Sequence, residues 1–151
     1  MVKALIFDVF GTCVDWRTSV AREVAAVLPN VDAIAFAEAW RAEYQPSMAR
    51  IRDGGRGYVP LDDLHLENMH RVAAAFGVTA PDGLSAAWER LDPWPDVVPG
   101  LLAMKAHRIV APCSNGSIAL MARLAQWCGL PWDCILGAEI ARDYKPKPEV
   151  Y

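Results

Sequence analysis

The chain has 151 residues, of which 54% are hydrophobic and 22% charged, with a net charge of −3. That apolar fraction excludes a disordered chain, and the scattered charges leave no basic block for a phosphate backbone. No apolar run approaches the roughly 18 residues needed to cross a membrane. Nucleic acid and membrane are therefore not expected partners. Met1-Val2-Lys3, followed by an acid at Asp8, makes no signal peptide. Cys13, Cys113, Cys128 and Cys134 form no C-x-x-C pair and no scaffold spacing, which predicts free thiols in a reducing, cytoplasmic setting. His65, His70 and His107 are too scattered to suggest a zinc site.

In chain order, the apolar run Ala4-Leu5-Ile6-Phe7 ends at Asp8 and a Gly-Thr turn, as a buried parallel strand would. Residues 17–93 read as helices. Thr18 is a cap for a helix with Val20, Val24 and Val27 on one face. A longer helix from near Asp32 carries Phe36, Trp40, Tyr44 and Met48 at every fourth position. Leu66, Met69, Val72, Ala73 and Phe76 form a third stripe closed by Gly77. All three stripes read as core packing. Gly54-Gly55-Arg56-Gly57 follows no strand and lacks the spacing of a nucleotide cradle, so it reads as a loop.

Residues 97–107 predict a helix with Pro99 in its first turn. Residues 109–113 predict a second strand, although Pro112 removes a ladder donor. Residues 117–128 predict a helix with Ser117 as N-cap and Gly129 just past its end. Residues 134–138 are a weaker third strand. Alternating strands and helices make an α/β fold with right-handed parallel crossovers.

Three polar clusters follow these strands, where ligands bind in open α/β sheets. The first runs from Asp8 through Gly11 and Thr12 to Asp15; the second is Ser114-Asn115-Gly116-Ser117. The third is Tyr144-Lys145-Pro146-Lys147-Pro148-Glu149-Val150-Tyr151, in which prolines stiffen the backbone around a lysine.

In this order the clusters resemble the haloacid dehalogenase superfamily. Asp8, Gly11, Thr12 and Asp15 match its first motif, Ser114 its second, and Lys145 with Pro146, Pro148 and Tyr151 its third. The resemblance implies a Rossmann-like parallel-sheet core in residues 1–16 and 94–151, interrupted by an all-helical cap in residues 17–93. Phe10 stands where the superfamily's phosphatases carry a second aspartate to protonate the leaving alcohol. A phenyl ring cannot do that, whereas halide leaves unprotonated. Phe10, the run Ser114-Asn115-Gly116-Ser117 and the pair Trp40-Arg41 are similar to the type II 2-haloacid dehalogenase branch.

That branch implies hydrolysis of small 2-haloacids, of the L series, to 2-hydroxy acids through an ester on Asp8. Lys145 and Ser114 would assist the nucleophile. Phe10, Thr12, Arg41, Asn115 and Tyr151 would contact substrate or halide. No metal or other cofactor is implied, and a homodimer is compatible with the resemblance. The superfamily continues past its third motif to a fourth, acidic one. The resemblance thus implies a core incomplete at its C-terminus and without the acid that activates the hydrolytic water. The alternatives are a phosphatase or phosphonatase-type hydrolase with an unusual first motif, and a catalytically incomplete binding module.

Overall fold

A computed structural model describes residues 2–54 and 56–151, so Gly55 of the glycine-rich loop lies outside the described residues. Strand β1 (Ala4–Phe7) pairs in parallel with β4 (Ile109–Ser114), from Ala4 against Ile109 to Phe7 against Pro112. On the other side of β4, β5 (Leu136–Gly137) runs parallel, opposite Cys113 and Ser114. The order β1-β4-β5 is the expected parallel α/β sheet. Pro112 sits where β4 changes partner from β1 to β5, so its missing N–H falls at the end of one ladder rather than inside it.

The third strand is shorter than the apolar run around it. Asp133 occupies that edge of β4 instead: its backbone N–H donates to Val110 O at 2.8 Å, and its Oδ2 accepts from Val110 N at 2.9 Å. Pairing by β5 begins only beyond that point. It depends on Gly137, whose φ of +140° brings the two backbones so close that a Cβ there would lie 2.0 Å from Ser114 O.

Helix α5 (Val97–Lys105) precedes β4, and α6 (Ile118–Cys128) follows it. Ser117 Oγ caps α6 by accepting from Leu120 N, and left-handed Gly129 ends it, both as the sequence predicts. A short helix, α7 (Ala138–Ala141), follows β5.

Between β1 and α5 the chain is mostly helical: α1 (Trp16–Val27), α2 (Ala33–Ala42), α3 (Tyr44–Arg52), α4 (Leu61–Ala75) and a 3-10 helix over Asp82–Glu89. Two-residue strands β2 (Val14–Asp15) and β3 (Asp92–Pro93) pair antiparallel where the chain leaves for this segment and returns from it. They are too short to leave a periodic signal.

Three local expectations change. The cap of α1 is Asp15, whose carboxylate accepts from Thr18 N, so Thr18 is the capped residue and not the cap. The single helix expected from Asp32 is two, divided at Glu43. Pro46 has no N–H for the carbonyl of Ala42, where α2 ends. Val27 and Phe76, placed on apolar stripes, lie at the surface.

Of the remaining stripe residues, Val20, Val24, Phe36, Trp40, Met48, Met69, Val72 and Ala73 are buried, and Tyr44 and Leu66 are half-buried against them. Trp88 joins them into one cluster. Its indole stacks on His65 at 4.5 Å and Trp16 at 6.2 Å, and meets Trp40 edge-on at 5.6 Å and Phe10 at 6.0 Å. Such pairs contribute about 0.5–1.5 kcal/mol each beyond their area. They also fix α1, α2 and α4 against the loop that carries Phe10.

Candidate active site

Asp8 is the first residue beyond β1, and its loop is closed on itself. Cys13 N and Val14 N donate to Val9 O, and Gly11 N donates to Val14 O. Gly11 adopts φ +92°, a conformation costly for other residues. The loop is pinned from outside by Trp94, whose indole N–H donates to Gly11 O and whose backbone N–H donates to Cys13 O. An acid on such a loop has little freedom to move. Burial, followed by the nearby Asp8 charge, pushes the Cys13 thiol up to about 11, so it stays a neutral packing group.

Lys145 arrives from the opposite end of the sequence, on the turn after α7. Its Nζ donates to Asp8 Oδ1 at 2.7 Å while Thr12 Oγ1 donates to Oδ2 at 2.9 Å, so each carboxylate oxygen has one fixed partner. Ser114 ends β4 beside them, buried, with its Oγ accepting from Gly116 N.

Asn115 links the sheet to the helices. Its Oδ1 accepts from Lys145 N at 2.8 Å, which leaves the amide nitrogen facing α3. There Nδ2 donates to Tyr44 Oη at 2.9 Å and to Met48 Sδ at 3.4 Å. Both amide hydrogens are thus already engaged within the protein, although Asn115 was expected to receive a halide. Burial keeps the Tyr44 phenol above its usual pKa, against the opposing pull of Asn115, Arg41 and Lys145.

Arg41, on the last turn of α2, lays its guanidinium over the Tyr44 ring, 4.1 Å from the centroid, and 5.8 Å from that of Trp16. Among the described residues no carboxylate pairs with it. Behind it, His65 is enclosed and lowered to about 3, first by burial and then by the Arg41 charge, so its ring is neutral.

Asp8, Phe10, Arg41, Ser114, Asn115 and Lys145 line one cavity of about 270 Å³, together with Tyr44, Gln45 and Pro146. Thr12 stands behind Asp8 rather than on the cavity wall and reaches the site through its hydrogen bond. Tyr151 is not brought there. The turn Pro148–Val150 carries the chain back along β4, where Cys113 Sγ donates to Val150 O, and Tyr151 is 69% exposed beside Ile6 and Leu136. Tyr44 and Gln45 are the wall residues that sequence reasoning missed. Tyr44 carried a signal, but its four-residue spacing with Trp40 and Met48 reads as core.

A family model described as haloacid dehalogenase-like hydrolase matches residues 2–151. The chain belongs to the haloacid dehalogenase-like hydrolases. Solved structures agree. The defluorinating L-2-haloacid dehalogenase Rha0230 is 48% identical with a TM-score of 0.96, over 99% of this chain and 66% of that one. The L-2-haloacid dehalogenase PA0810 is 39% identical with a TM-score of 0.95, over 100% of this chain and 68% of that one. The enzyme of Xanthobacter autotrophicus, with chloropropionic acid covalently bound, is 25% identical with a TM-score of 0.88, over 100% and 62%. This haloacid dehalogenase-like chain therefore spans about two thirds of the length of these relatives. No curated protein matches it. Among the described residues no helix is long and apolar enough to cross a membrane.

Proposed function

We propose that this chain carries the nucleophilic centre of a hydrolytic 2-haloacid dehalogenase, with residues 17–93 acting as its cap. The observation that carries the reading is Asp8, held between Lys145 and Thr12 at a cavity that also contains an apolar Phe10 and Arg41, which has no carboxylate partner among the described residues. A small haloacid needs those groups: a cation for its anionic parts, an apolar wall for its carbon, and a fixed carboxylate in line with the carbon–halogen bond.

In this reading an Asp8 oxygen forms a bond to C2 of the substrate. The carbon–halogen electron pair departs with the halogen, with inversion at C2. Water then adds to the ester carbonyl of Asp8 and gives up a proton to solvent or a base. Collapse releases the 2-hydroxy acid and restores the carboxylate, so the sum is haloacid plus water to hydroxy acid, halide and a proton. Lys145 and Thr12 hold the attacking carboxylate. Arg41 attracts the anionic substrate and the departing halide in a site where Phe10, backed by Trp88, limits water. The printed names of the similar structures support the L-2-haloacid class, and the covalent chloropropionic acid adduct is a property of the Xanthobacter enzyme. Four free cysteines support a cytoplasmic location.

The test is chloride release from both enantiomers of 2-chloropropionate without added metal, by this chain and by Asp8→Asn. Release from the S enantiomer that disappears in the variant is expected. No chloride from either enantiomer, or release unchanged by the substitution, would sink the reading. Phosphate release from an aryl phosphate would favour the phosphatase alternative instead.

A further inference from the structure

We propose that the Tyr44 hydroxyl, rather than the Asn115 amide, is the neutral donor that receives the departing halide, and that it suits this site to fluoride. The inference rests on the dehalogenase reading and goes beyond it by assigning a leaving-group contact to a residue outside the three motifs.

Hydrogen-bond accounting leads there. Asn115 Oδ1 is fixed as acceptor by the Lys145 backbone N–H, so its nitrogen must face Tyr44 and Met48. An amide nitrogen has two hydrogens, and both are used. Tyr44 Oη accepts one of them and still holds its own hydrogen, for which the described residues offer no acceptor. Tyr44 lines the same cavity as Asp8, and the Arg41 guanidinium lies over its ring, 4.1 Å from the centroid. A cation and an O–H donor therefore share one wall of the cavity.

The relay also strengthens that donor. Lys145 N–H donates to Asn115, and Asn115 donates to Tyr44 Oη; a hydroxyl that accepts a hydrogen bond becomes a better donor. During displacement the new carbon–oxygen bond takes its electrons from Asp8, and the halogen leaves with the pair of the broken bond. No proton moves, and Tyr44 keeps its hydrogen while donating it to the new anion. Fluoride is the smallest halide and concentrates its charge most, so it gains most from a short charge-assisted bond. Bromide, large and diffuse, gains least.

The experiment compares fluoride release from fluoroacetate with bromide release from bromoacetate, in the chain as it stands and in Tyr44→Phe. The phenylalanine keeps the ring beneath Arg41 and removes only the hydroxyl. Fluoride release is expected to fall about 100-fold, the scale of one lost transition-state donor, and bromide release only about threefold. Retained bromide release also shows that the variant has folded. A second variant, 3,5-difluorotyrosine at position 44, preserves shape and strengthens the donor; its fluoride-to-bromide ratio at pH 6 should rise. Equal losses of both halides in Tyr44→Phe, an unchanged ratio with difluorotyrosine, or an unaltered chain that releases bromide but no fluoride would each overturn the assignment. Absence of every halide from the unaltered chain would instead overturn the dehalogenase reading beneath it.

Discussion

Lys145 Nζ and Asp8 Oδ1 lie 2.7 Å apart although 137 positions separate them in the chain. The pair forms because two loops, one after β1 and one after β5, meet at the same end of a parallel sheet. Asp8 remains half exposed while the lysine side chain is only 17% exposed, so the cation is the sheltered partner.

An ion pair with one solvated member contributes little to folding, at most about 1 kcal/mol. Lys145→Met should therefore move Tm by no more than about 4 °C. Halide release should fall about 100- to 1000-fold, because the charge acts where negative charge is redistributed in the transition state. Thermal melts beside halide assays separate the two effects. Parallel losses of stability and rate would mark Lys145 as merely structural.

Gly137 offers a contrasting test, in which the backbone is at stake. A Cβ at this position would meet the Ser114 carbonyl oxygen at 2.0 Å and the Ser114 nitrogen at 2.8 Å, and neither can rotate away. The positive φ adds its own strain. Gly137→Ala should cost about 3 kcal/mol or more in urea unfolding and displace Ser114, lowering halide release as well. Gly83→Ala, with open space around its Cβ, is the control and should stay within about 1 kcal/mol.

His65 sets an acid limb on stability. Its folded pKa, lowered to about 3, is below the ordinary value of 6.5, so protonation favours the unfolded chain. The His65 contribution is complete above pH 6.5 and is lost as pH falls toward 3, at up to about 1.4 kcal/mol per pH unit. Urea midpoints between pH 7 and 5 should drop in the parent chain. In His65→Phe, which keeps a ring against Trp88 and removes the titration, the slope should lessen by close to one proton. An unchanged slope would show that His65 does not titrate between the two states.

The residues gathered around the cavity were legible wherever a strand hands directly into a polar turn. Asp8 and Ser114 each end an apolar run, and Lys145 directly precedes the stiff Pro146-Lys147-Pro148 run, so sequence position and spatial position coincide. Tyr151 lies away from that cavity because a short 3-10 turn follows Lys147, and nothing in a Pro-x-Pro spacing encodes which way the chain leaves. Tyr44 failed for another reason. It keeps the four-residue rhythm of its neighbours across the break at Glu43, so a residue that faces the cavity reads like one that faces the core. The shortness of β5 was hidden because Asp133, a side chain, replaces strand pairing at Val110.

The double attachment of Asn115 has a consequence for access to the site. One end of its amide holds the backbone that carries the lysine, and the other holds the helical segment above it. Were that segment to swing outward, the bond to Tyr44 would be lost, while the bond that holds the Lys145 backbone beside Asp8 would stay. The doorway could then open without disarming the chemistry, and reclosing would restore the tyrosine donor only once the cavity is sealed.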